Sequence, residues 1–168
     1  VPYFAAALAR TSDGWAAHEV DLDGVQDVDE LAELIRDLDP VAPTTLLFVE
    51  EDDEYLAVVR VDAGGSEPRV FISDVRAAVS YPTVAMLADA AAGAVEDRGA
   101  EDPEEEDTAL GYDAEPLGAA DLLADLGIPA RALLALCAHE GSLPADVITE
   151  ICERAGCLDE LEALRLGA

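Results

Sequence analysis

The chain opens with a short apolar run, Tyr3–Arg10, followed by the turn signal Ser12-Asp13-Gly14. Trp15–Leu22 then alternates, placing Ala16, His18, Val20 and Leu22 on one face. Two such runs around a tight turn predict a β-hairpin. The period then changes. Leu31, Leu34, Ile35 and Leu38 recur at helical spacing, and Asp27 stands three residues before Glu30 in a capping-box pattern. This predicts an amphipathic helix that stops at Asp39-Pro40. Thr45–Glu50, Tyr55–Val61 and Arg69–Ser73 read as three further strands, separated by Glu51-Asp52-Asp53 and Gly64-Gly65. Leu46–Val49 and Leu56–Val59 are apolar at every position, so both strands are expected to be covered on each side. A helical stretch follows, Val75–Val79 and then Thr83–Ala92, interrupted at Pro82 and expected to end at Gly93.

Past Gly93 the pattern breaks. Glu96 through Glu115 hold ten acids and one Arg, with Gly99, Pro103 and Gly111 interspersed, which reads as a self-repelling linker. From Leu117 only helical spacing remains. Asp121–Leu126 stops at Gly127. Leu133, Leu134, Leu136 and Cys137 follow Pro129 and stop at Gly141. Val147, Ile148, Ile151, Cys152 and Ala155 follow a cap expected at Ser142 and stop at Gly156. Leu158, Leu161 and Leu164 close the chain. The organisation expected is therefore an α+β sheet domain over 1–93, an acidic linker over 94–116 and a small all-α region over 117–168. The first block has the order ββαβββα, and its short connections predict an antiparallel sheet. That order resembles roadblock and profilin-like sheet proteins, a likeness of fold that carries no function by itself.

Charge narrows the classes of function. The chain has 38 acids and 9 bases, every base an Arg, for a net charge of −29. Nucleic-acid and anionic-membrane binders need a basic face, so neither is expected as a direct partner. With 51% hydrophobic residues, the chain can nevertheless bury a core. No run approaches the length of a membrane span, and no basic stretch precedes the first apolar residues as in a signal peptide. Three Cys, an odd number, read as reduced thiols, so a cytoplasmic location is expected. Abundant Ala and Arg without Lys point to a high-GC bacterial genome. Fourteen acids lie between Glu19 and Glu54. They mark Asp29, Glu30, Glu33 and Asp37 on the first helix, and the turn Glu50, Glu51, Asp52, Asp53 and Glu54, as the expected surface for a basic protein partner.

Candidate chemistry is sparse. Cys137, His139, Cys152 and Cys157 are the only set with the donor types of a Cys3His zinc site. Their first spacing is a single residue, shorter than usual, and Cys137 and Cys152 fall on apolar helix faces where a thiol acts as a small hydrophobe. Core cysteines and no metal are therefore expected. A zinc deaminase would need His-x-Glu and Pro-Cys-x-x-Cys; His139 and Glu140 are adjacent and the second motif is missing. Asp21-x-Asp23-Gly24 fails as a calcium loop, because Val25, Gln26 and Ala32 occupy its fifth, sixth and twelfth positions. The chain has no Gly-x-Ser-x-Gly elbow, and Gly64-Gly65 has no Lys or helix after it. Neither catalysis nor a cofactor is expected.

Several phrases together resemble the actinobacterial tRNA adenosine deaminase-associated protein family. They are Tyr3-Phe4-Ala5-Ala6-Ala7-Leu8-Ala9-Arg10 with Trp15, Leu47-Phe48-Val49-Glu50-Glu51-Asp52-Asp53-Glu54, Val59-Arg60-Val61-Asp62 and Arg69-Val70-Phe71-Ile72-Ser73-Asp74. Asp121-Leu122-Leu123-Ala124-Asp125-Leu126-Gly127, Leu143-Pro144 and Cys157-Leu158 are similar too. The resemblance spans nearly the whole chain outside the linker and transfers no catalytic residue. It implies a place near wobble adenosine-to-inosine editing of tRNA, with the deaminase as one partner. A nucleic-acid mimic that binds some other basic protein is the alternative.

Overall fold

A computed structural model describes residues 3–63, 68–97, 116–138 and 143–166. Gly64-Gly65, residues 98–115 of the expected linker, His139, Gly141 and Ser142 lie outside these. The fold is α+β, built on one antiparallel sheet. Strands β1 (Tyr3–Thr11), β2 (Gly14–Glu19), β3 (Thr44–Glu51), β4 (Tyr55–Asp62), β5 (Arg69–Ile72) and β6 (Leu117–Gly118) pair in the order β2-β1-β3-β4-β5-β6. Every neighbouring pair is antiparallel.

Register explains why the central strands are apolar throughout. Ala6, Phe48, Val58 and Phe71 line up across four strands on one face, and Ala7, Leu47, Val59 and Val70 line up on the other. Because side chains alternate across a strand, two cores form. The second face is covered by helices α1 (Val28–Leu38) and α2 (Pro82–Asp97), through Leu31, Ala32, Ile35, Val84, Leu87 and Ala91. The first is covered by the C-terminal segment: a short 3-10 helix Ala124–Leu126, then α3 (Ala130–Ala138), α4 (Pro144–Ala155) and α5 (Leu158–Arg165). Leu122, Leu123, Ile128, Leu133, Ile148, Ile151 and Leu161 supply its buried contacts.

Local signals act largely as expected. The Asp27 carboxylate accepts the Glu30 N–H at 2.8 Å, and Glu30 reaches back to the Gln26 N–H at 2.9 Å, so the box closes one residue further upstream than its usual form. Gly156 ends α4 at φ 91, its N–H donating to the Cys152 carbonyl at 2.9 Å.

Several details differ from the pattern. The helix expected to end at Gly93 continues to Asp97, because a glycine inside a helix costs only about 1 kcal/mol. Val75–Val79 is a 3-10 helix, capped by the Asp74 carboxylate on the Arg76 N–H. The N-cap of α4 is Leu143, with Pro144 at the start of the helix. Leu117–Gly118, expected to open an all-α region, instead forms an edge strand on β5.

Candidate functional site

Among the described residues, the β3–β4 turn carries the densest run of carboxylates. The Glu54 N–H donates to the Glu51 carbonyl at 2.9 Å, and Asp52 and Asp53 between them have φ of 54 and 61. Positive φ at both central positions normally favours Asn-Gly; Asp enters this region at some cost. Two tyrosines hold the turn from below. The Tyr55 hydroxyl donates to Glu51 at 2.8 Å, the Tyr81 hydroxyl donates to Asp52 at 2.9 Å, and the two rings lie 5.4 Å apart. Burial first, then the bond to Glu51, drives the Tyr55 phenol well above its ordinary pKa. The bond to Asp52 and the acids around it push Tyr81 up to about 12. Both hydroxyls therefore stay protonated donors, fixing two carboxylates while Asp53 and Glu54 remain exposed.

Glu50 does not belong to this group. Alternation turns it to the opposite face of the sheet, where it lies half-buried near Arg165 of α5. Burial raises its pKa and outweighs the pull of Arg165; Asp53 and Asp146 push the same way. Charge on Glu50 thus opposes folding. Its folded pKa lies above its unfolded value, so its favourable contribution is present below the unfolded pKa and disappears as pH rises through the folded one. Glu50→Gln is expected to raise the urea midpoint at pH 7, with the gain vanishing below pH 4. An equal or lower midpoint at pH 7 would mean that the Arg165 attraction dominates.

On α1, Asp29, Glu30, Glu33 and Asp37 are all exposed. Glu30 also works as a cap. The Val20 N–H bonds the Ala5 carbonyl and Tyr3 pairs with Glu51, so the chain leaves β2 at the sheet end that holds the β3–β4 turn. Asp29 and Glu30, at the start of α1, lie toward that end. Asp37 lies toward the other, where the chain enters β3.

The cysteines sit elsewhere. Cys152 and Cys157 are buried in the core beneath the C-terminal helices, and Cys137 packs against the same core. Contact with the Cys157 thiol, together with burial, raises the Cys152 pKa, and burial pushes Cys137 up to about 12. Cys152 and Cys137 are therefore protonated, unreactive thiols. Among the described residues no three His, Cys, Asp or Glu side chains are placed to hold a metal, and His139 lies outside those residues.

Arg60 escaped the sequence reading. It occupies an otherwise apolar strand and is 6% exposed. Its guanidinium binds both Asp125 carboxylate oxygens, one at 2.6 Å and the other at 2.9 Å, the Leu122 carbonyl at 2.7 Å and Asp62 at 3.0 Å. A charged residue within an apolar run was the available signal; its partner, 65 positions away, had none.

The class so defined is an acidic α+β sandwich with two helical layers, whose ordered surface gathers carboxylates. No described helix is long and apolar enough to cross a membrane. A family model described as Rv3753c-like tRNA adenosine deaminase-associated protein matches residues 3–158. The chain belongs to that family. Comparison with curated proteins and with solved structures finds no match.

Proposed function

We propose that this protein is a non-catalytic cytoplasmic accessory of tRNA adenosine deaminase, acting by direct contact with that enzyme. Membership of a family named for its association with the deaminase carries this reading. The charge supports it: a deaminase acting on tRNA must present a basic surface to phosphates, and a chain of net charge −29 complements such a surface. The contact is assigned to Asp52, Asp53 and Glu54 with Asp29, Glu30 and Glu33, while Glu50, Glu51 and Asp37 contribute field more than contact. Competition with tRNA for the same surface follows from this assignment.

Mixing the two purified proteins at low salt is expected to give co-elution and a change in editing rate. Neutralising Asp52, Asp53 and Glu54 together, as Asn, Asn and Gln, is expected to slow association about tenfold at low salt and to flatten its salt dependence. The dissociation rate should change less. Independent elution with an unchanged editing rate would sink the proposal. Equal, salt-sensitive binding to unrelated basic proteins would favour the nucleic-acid mimic instead.

A further inference from the structure

The sheet has two edges. One is β6, only two residues long. The other is β2, six residues of sequence Gly-Trp-Ala-Ala-His-Glu. Its pairing with β1 fixes which backbone groups point outward. Thr11 and Gly14 close a two-residue hairpin, and the Val20 N–H bonds the Ala5 carbonyl. Hydrogen-bonded and non-bonded pairs alternate along an antiparallel ladder, so Gly14, Ala16, His18 and Val20 bond inward. Trp15, Ala17 and Glu19 turn their N–H and carbonyl groups away from β1. None of these groups has a backbone partner among the described residues.

Natural edges of this length are usually guarded by lysine, proline or a bulge. β2 has no Lys or Pro, and its register with β1 runs without a bulge from Gly14 to Glu19. Beside it, on one face, lies α5, which contacts β2 directly. Cys157 and Leu161 of this segment face the core, leaving Asp159 and Glu162 exposed along its outer side. Glu19 adds a third carboxylate at the end of the strand itself. A second copy of the chain would bring two bodies of charge −29 together on this edge, and repulsion opposes that.

We propose that the β2 edge receives an extended basic segment of a partner protein as a seventh strand of the sheet. Main-chain bonds to Trp15, Ala17 and Glu19 hold the added strand, and its Arg or Lys side chains meet Asp159, Glu162 and Glu19. The site is distinct from the β3–β4 turn, and it stands whichever protein supplies the segment.

The test uses the full chain with two peptides of equal positive charge. One alternates threonine and arginine over about ten residues; the other alternates proline and arginine, which leaves every second N–H missing. The first is expected to bind about tenfold more tightly, because the second cannot complete the ladder. Its binding should slow amide exchange at Trp15, Ala17 and Glu19. Ala17→Pro is expected to abolish the difference between the peptides, since that N–H points away from β1 and its loss spares the existing ladder. Should this variant fail to fold, the two peptides and amide exchange in the native chain still decide. Equal affinities without protection at the three amides would overturn the proposal, reducing the effect to charge condensation. Concentration-dependent protection of the same amides without peptide would overturn it in favour of self-pairing.

Discussion

Gly118→Ala is expected to lower the unfolding free energy by about 3 kcal/mol or more, combining a strained left-handed position with overpacking against backbone. Gly118 has φ +108 and pairs with Phe71 across the β5–β6 ladder. A Cβ there would overlap the Val70 carbonyl oxygen and press on the Phe71 Cα at 3.1 Å. Neither is the tip of a flexible side chain, so the strand itself must move. The Ala119 N–H bond to that same Val70 carbonyl, 2.9 Å, would be lost with it. Gly24 is the control: its φ is +86, but nothing lies within 4 Å of its would-be Cβ. Gly24→Ala should cost only the dihedral penalty, about 1–2 kcal/mol. Urea unfolding measures both, and amide exchange at Phe71 and Ile72 localises the damage. Equal losses in the two variants would show that the close approach at Gly118 is unimportant.

Asp125→Ala is expected to cost about 2–3 kcal/mol, below the full penalty for orphaning a buried charge because two partners of Arg60 remain. Asp62 and the Leu122 carbonyl still bind the guanidinium, but its bidentate partner is gone. Arg60→Met should cost less. It removes the buried charge and leaves Asp125, with its side chain 60% exposed, free to hydrate. The opposite order would mean that the ion pair is worth more than apolar packing at this position.

The pH dependence has a defined sign. The bond from Arg60 holds the Asp125 carboxyl below its ordinary pKa, burial opposing only in part. Its contribution is therefore present above the unfolded pKa and lost as pH falls through the folded one. The gap between native chain and Asp125→Ala should be constant from pH 5 to 7 and close below pH 3.8, the unshifted value. The native chain alone would not show this cleanly. Protonating many of its 38 acids relieves self-repulsion over the same range, so the difference between the two proteins is the quantity to measure.

Most elements were legible because their signals are local. Asp27 and Glu30 start α1 with groups a few residues apart, and Gly156 stops α4 with a bond to Cys152. The candidate site was legible only as charge. Asp52 and Asp53 announce a turn, yet nothing near them in sequence reveals that Tyr81 holds Asp52. Glu50 looked like its neighbours until alternation, applied to the real register, turned it toward Arg165. Leu117–Gly118 could not be read as a strand, because two residues carry no period and only Phe71 and Ile72 opposite them make one.

By itself, the sequence determined where most of the strands and helices lie, that β3 and β4 must be covered on both faces, and that the surface would be acidic. Each follows from the spacing of side chains along the chain. Tertiary structure alone decided which helices cover which face, that the C-terminal helices share a core with Phe48, Val58 and Phe71, and that Arg60 reaches Asp125. It also decided which carboxylates stay in water and which edge of the sheet has no further strand beside it among the described residues. Those outcomes depend on contacts between residues tens of positions apart, and such contacts leave no period to read.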